Sequence, residues 1–212
     1  MALLRKRVLI SGLVLAGLYT KKKMKIQALL LFLMLSSIGY SQPSEESATE
    51  KIQALKKGFL LVRLKTGDLQ AKALERAGSK AEAAIYLQKR NEENKVIVQA
   101  FTMHFRFCPV YFCYSSASDT IKQGYFKGML LNSSLQADTS LVPTASYFLT
   151  AEFGFTDVQQ REGLIMMDRN FNQLNSPFPF LVTRYEGVAK KRTQEEMIIR
   201  LDQQLMAFYE KK

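Results

Sequence analysis

Phe107-Cys108-Pro109-Val110-Tyr111-Phe112-Cys113-Tyr114 is the most apolar stretch downstream of residue 41, and where it sits decides the fold. A short, nearly continuous apolar run of this kind reads as a strand buried on both faces, hence a central one. Pro109 has no N–H to give to a ladder, so it belongs at the strand's beginning. Residues 115–119 (SSASD) supply the turn that follows.

Upstream, residues 59–65 (FLLVRLK) read as a second strand. Leu60, Val62 and Leu64 share one face while Arg63 and Lys65 lie on the other, which fits an edge strand or a one-sided sheet. Ser47-Ala-Thr-Glu50 before it is a capping box opening a short helix with Ile52 and Leu55 inward, stopped by Gly58. After it, residues 68–77 form a helix with Leu69, Ala73 and Ala77 on one stripe, and Gly78 ends it. Ser79-Lys-Ala-Glu82 is a second capping box, opening a longer helix toward Met103, so the two make a helical hairpin. The middle of the long helix, residues 88–95 (QKRNEENK), is polar all round and projects into solvent. In its small alanines the hairpin resembles one tetratricopeptide-type unit. No second copy follows at the 34-residue period, and one unit cannot bury its own face, so a solenoid is excluded.

Downstream, strands are expected at residues 126–131, 146–152, 164–168 and 178–183. Asp168-Arg-Asn-Phe-Asn172 is rich in turn formers, so the last two strands pair as a hairpin. Pro177 and Pro179 place the final strand at an edge or bulge. Thr193-Gln-Glu-Glu196 then opens a terminal helix with the stripe Met197, Leu201, Leu205 and Phe208. Clustered strands flanked by helices define an α+β fold. The expected sheet is mixed or mainly antiparallel, with an N-terminal helical hairpin and a C-terminal amphipathic helix packed on it, the helices on one side. From Leu164 onward, the strand–turn–strand–helix order is similar to the closing ββα of thioredoxin-like folds. That resemblance implies a thioredoxin-like alternative and brings no catalytic motif with it.

The N-terminus decides the compartment. It reads as two export signals in series: Arg5-Lys6-Arg7 followed by the apolar run 8–19, then Lys21-Lys22-Lys23-Met24-Lys25 followed by the apolar run 28–38. Gly39 and Ser41 supply small residues at −3 and −1, placing cleavage before Gln42. Each run has 11 or 12 residues, against about 20 for a membrane span. Domains are thus expected as a signal peptide of bacterial type over 1–41, with its functional start at Met24, a flexible leader over 42–49 and one α+β domain over 50–212. The product is exported, periplasmic or secreted, and meets a membrane only through the signal.

The same segment accounts for the charge. The chain carries 30 Lys and Arg against 19 Asp and Glu, a net of +11. Seven of the basic residues fall within 1–41, so the remainder has 23 against 19, a net of +4. With that excess removed, no general basicity argues for nucleic acid.

Chemistry-bearing motifs are sparse. Phe107-Cys108-Pro109 is similar to the approach to a peroxiredoxin nucleophile, but that family's Thr three residues before the Cys is Phe105 here. Four residues separate Cys108 from Cys113, where a thioredoxin motif needs two. On one strand they would stand about 16 Å apart, well beyond the ~7 Å that a disulfide spans. Cys108 is the one candidate catalytic thiol, and it would need nearby positive charge, from Arg106 or His104, to ionise. Asp168-x-Asn170-x-Asn172 opens like a calcium loop but lacks its Gly and Glu, with Gln173 and Pro179 in their places. His104, the only histidine, is expected to be partly buried and satisfied rather than a ligand, and no metal or cofactor is expected. Glu152, Asp157 and Asp168 are the carboxylates available for a pair, and residues 189–192 (AKKR) read as a solvated basic loop. The expected function is a non-enzymatic envelope or secreted protein that binds a protein or small-molecule partner, with thiol-redox chemistry at Cys108 as the alternative.

Overall fold

Ser47 opens the described chain by capping a helix. The computed structural model describes residues 47–187 and 190–211, and the two export signals, the cleavage site and most of the leader fall outside them. Ser47 Oγ accepts from Glu50 N while Glu50 Oε2 accepts from Ser47 N at 2.7 Å, the reciprocal box the sequence implies. Helix α1 (Ala48–Lys57) buries Ile52 and Leu55 completely. Gly58 ends it, and a Cβ there would overlap the Tyr147 carbonyl oxygen, so only glycine lets these segments meet.

The strands β1 (Phe59–Leu64), β2 (Val110–Tyr114), β3 (Phe148–Phe155), β4 (Glu162–Met167) and β5 (Leu181–Thr183) form one sheet in the order β2-β1-β3-β4-β5. β1 is parallel to both neighbours, whereas β3–β4 and β4–β5 are antiparallel. The fold is therefore α+β with a mixed sheet. The expected places of two strands are exchanged: 59–65 is inner and covered on both faces, and 107–114 supplies the edge. Phe59 and Leu61 explain the first, because they fill a second core on the face opposite Leu60 and Val62. Tyr114 explains part of the second, since its hydroxyl reaches out to donate to Leu135 O. Leu131 N also donates to Phe112 O, which closes part of the open edge.

Between β1 and β2 run α2 (Asp68–Arg76) and α3 (Lys80–His104). Gly78 takes φ +87° and ends α2, as expected, with Ser79 N donating back to Leu74 O. That engagement leaves Ser79 outside cap geometry, so the second capping box does not form. The expected inward stripe of α2 faces water instead: Leu69 is 83% exposed, and burial falls on Ala71, with Ala83 in α3. Further along, Ile97, Val98, Ala100 and Phe101 of α3 pack into the larger core.

The other face is covered by α4 (Ser118–Lys122) and the irregular segment after it, through Ile121 and Leu130. Phe59 stacks on Phe148 and meets Tyr111 edge-on, both at 5.2 Å. Helices thus lie on both sides rather than one. The strand expected at 126–131 is a turn, in which Met129 N donates to Phe126 O and Gly128 takes φ +74°; only Leu130 and Leu131 make bridges.

Asp168 Oδ1 accepts from Asn170 N and Asn172 N at 2.8 Å, so that segment is the expected turn. β5 is short and lies at the edge beyond Pro177 and Pro179. Two short strands, β6 (Tyr185–Glu186) and β7 (Lys190–Lys191), pair antiparallel. The basic cluster is therefore paired rather than a free loop: Lys190 and Arg192 bind Glu186, and Arg192 Nη1 also donates to Thr183 O, while Ala189 lies outside the described residues. Thr193 and Glu196 cap the terminal helix α5 (Gln194–Glu210) reciprocally. Its Met197, Leu201 and Leu205 are fully buried, each contributing about 2 kcal/mol.

Candidate functional site

β1 and β3 are parallel neighbours, so both end at the same side of the sheet. The chain places β2 on one side of β1 and β3 on the other, so the strand order reverses between β1 and β3. In open sheets, ligand crevices form outside the carboxyl ends of strands at such a reversal. A cleft of about 650 Å³ opens at this position, with α3 as one wall and the first turn of α5 as the other.

Its basic groups come from three parts of the chain. Arg63 and Lys65 sit at the carboxyl end of β1, Arg90 on α3, and Arg184 just past β5. Arg63 Nη1 is 3.0 Å from Glu152, Arg90 Nη1 donates to Glu93 at 2.7 Å, and Arg184 Nη1 is 3.2 Å from Glu162. These are partly exposed pairs, each contributing of order 0–1 kcal/mol. Each guanidinium commits one Nη to a carboxylate, while Nε of all three is buried and unbonded among the described residues. Lys65 makes no ion pair among the described residues. Its carbonyl accepts from Asn94 Nδ2 at 3.0 Å, and Asn94, 3% exposed, ties α3 to the end of β1.

Gly154 and Gly163 face each other across β3 and β4 in the floor. A Cβ on Gly163 would overlap the Val182 carbonyl oxygen, and one on Gly154 would lie 3.3 Å from Glu152 Oε1 and 3.7 Å from Lys65 Nζ. Neighbouring side chains take up the space the two glycines leave: Glu152, Lys65 and Ile165 over Gly154, and Leu181 over Gly163. Leu64, Ile97 and Met197 form an apolar base, yet Val96 and Phe155 also line the cleft and stay 51% and 60% exposed. An adjoining depression shares Phe155 and Glu162 and continues over Arg161 and Tyr185.

The residues singled out from sequence lie elsewhere. Cys108 and Cys113 are free thiols on opposite faces of the sheet, each in a different core. Burial pushes each thiol up to about 12, against the weaker pull of Lys56 on Cys108 and of Arg63 on Cys113. At pH 7 both are therefore held protonated. Arg106, the expected activator, instead donates from its guanidinium to the carbonyls of Thr102, Met103 and Phe105 at the end of α3. His104 is half-buried with Nε2 2.8 Å from Glu195 Oε1. Glu152 pairs with Arg63, Asp168 holds its turn, and Asp157 N donates to Gln173 Oε1. Among the described residues no three His, Cys, Asp or Glu side chains are grouped to hold a metal ion, and no helix is long and apolar enough to cross a membrane.

Comparison with protein-family models, with curated proteins and with solved structures finds no match for the chain. The α+β class stands on the coordinates alone. Sequence reasoning passed over Arg90 and Arg184, which lie far apart in the chain and show no mutual spacing. Arg63-x-Lys65, closing an apolar strand, was the one legible trace of the site.

Proposed function

We propose that this chain is an exported, non-enzymatic binding protein whose ligand site is the cleft at the carboxyl ends of β1 and β3. The observation that carries this is a cleft of about 650 Å³ at the strand-order reversal, lined by charged residues together with Val96 and Phe155, which stay more than half exposed. Such a mix of apolar wall and a few convergent polar groups is the usual make-up of a small-molecule site. Thiol chemistry at Cys108 has little support, because a reactive cysteine needs an electropositive, accessible setting and this one is buried and protonated. Export rests on the paired signals of residues 1–41, and the modest charge of the remainder gives no reason for a nucleic-acid partner.

The chain contains no Trp, so a Phe155→Trp variant places a single indole reporter on the cleft wall. Screened against small organic acids, alcohols and amines, the variant should change its emission with at least one of these classes. A cleft silent to all of them contradicts the assignment. Iodoacetamide should leave Cys108 unmodified until the protein is denatured, and rapid alkylation of the native protein would restore the thiol alternative. The exported form should begin at Gln42 by intact mass, and a secreted chain that retains residues 1–41 would refute the cleavage.

A further inference from the structure

Independently of the cleft, we propose that the outer edge of β5 is a second binding surface, which takes an extended, acidic and apolar segment of a partner protein as an added strand. The sheet has two outer strands, and they are finished differently. On β2, Leu131 N donates to Phe112 O and Leu130 bridges Cys113, so the irregular segment after α4 covers part of that edge. On β5 the ladder to β4 uses alternate residues: Met166 N donates to Phe180 O at 2.7 Å and Arg184 N to Glu162 O at 2.8 Å. Leu181 and Thr183 fall between these positions and turn their backbone groups outward. Arg192 Nη1 donates to Thr183 O, but Leu181 N, Leu181 O and Thr183 N have no hydrogen-bond partner among the described residues. Such a row of donors and acceptors is a template for another strand.

A groove of about 450 Å³ lies between this edge and the second half of α5. Phe180 on the strand side and Phe208 on the helix side are both half-buried, and Phe208 rests on the buried Phe178 with ring centroids 5.9 Å apart. An added strand turns every second side chain toward this groove, and apolar ones there would displace water from both rings. Charge selects the rest of the segment. Arg161 and Lys211 line the groove, both exposed and neither in an ion pair among the described residues, and no carboxylate lines it with them. Glu162, the acid beside Arg161 in sequence, is held by Arg184. A second copy of this chain would bring the same two cations and no acid to the edge, so the occupant is a different protein with acidic side chains.

The test titrates three end-capped peptides into the full exported protein: Glu-Val-Leu-Val-Glu, its counterpart Lys-Val-Leu-Val-Lys, and the acidic peptide N-methylated at its three apolar residues. The acidic peptide should bind saturably and slow hydrogen exchange at the Leu181 and Thr183 amides. The basic peptide should bind about tenfold more weakly, the loss of two exposed ion pairs, and the N-methylated one should leave both amides unprotected. Arg161→Glu combined with Lys211→Glu, at exposed positions, should reverse the preference between the acidic and basic peptides. Equal binding of those two peptides overturns the acidic class. Binding that survives N-methylation with Leu181 and Thr183 unprotected overturns strand addition, as does the absence of binding by every peptide. Protection of the same amides in the free protein, rising with its concentration, gives the edge to a second copy and overturns the partner.

Discussion

The two ends of the β1 strand treat their charged residues in opposite ways. At the amino end, charges are used up on backbone. Asp202 Oδ1 accepts from Arg106 N at 2.7 Å and Phe107 N at 2.8 Å, and Lys56 Nζ donates to Phe107 O at 2.7 Å while lying 4.8 Å from the Phe107 ring. Cys108 is sealed beneath this lattice. At the carboxyl end, among the described residues, Lys65 is in no ion pair, Nε of three arginines is buried without a partner, and the apolar side chains of Val96 and Phe155 stay wet. A chain under selection for stability alone would close both ends. The difference marks the amino end as scaffold and the carboxyl end as the site.

The strongest way to break this contrast is through the floor of the cleft. Gly163→Ala drives a methyl into the Val182 carbonyl, and overpacking against backbone should cost about 3 kcal/mol, read as a lower urea midpoint. A stability change below about 0.5 kcal/mol would mean that β4 and β5 are less closely apposed than described. At the amino end, Asp202→Ala strips a carboxylate from two backbone N–H groups and should cost about 2 kcal/mol. It should leave ligand binding unaltered, and a loss of binding would show that the two ends are coupled.

The buried thiols sharpen the same contrast through pH. Both are raised from the free-thiol value of 9.0 to about 12, so the folded chain holds protons that the unfolded chain releases. Their contribution is intact below pH 9 and is lost as pH rises from there toward 12. The thermal midpoint should therefore fall across that window, and Cys113→Ala should flatten the slope. An unchanged slope would mean that other groups set it. Smallest of all, Lys65→Met should shift stability by no more than about 0.5 kcal/mol, since no ion pair is lost. A large loss would assign Lys65 a structural role.

Much of the fold was legible because it is written locally. The Ser47–Glu50 and Thr193–Glu196 boxes, the Gly58 and Gly78 stops, the Met197-Leu201-Leu205 stripe and the Asp168 turn all act within a few residues, and each appears where expected. What misled was context. The FLLV run of β1 is apolar on both faces, but Arg63 and Lys65 at its end imitate the alternation of an exposed strand. Ser79 has the sequence of a cap, yet its N–H is already committed to Leu74 O. The inner or edge place of a strand depends on partners distant in sequence, and so does the cleft. Arg63, Arg90 and Arg184 line one cleft only because β1 lies between β2 and β3, and no local pattern records that order.

The most direct measurement is a map of backbone amide shifts on titrating the compound that most changes the Phe155→Trp emission. The changes should gather on Lys65, Val96, Phe155 and Arg184, with Phe107, Cys108 and Asp202 unmoved. Shifts centred on the Cys108–Asp202 end, or scattered over the surface with Lys65 silent, would contradict the assignment of the open end of β1 as the site.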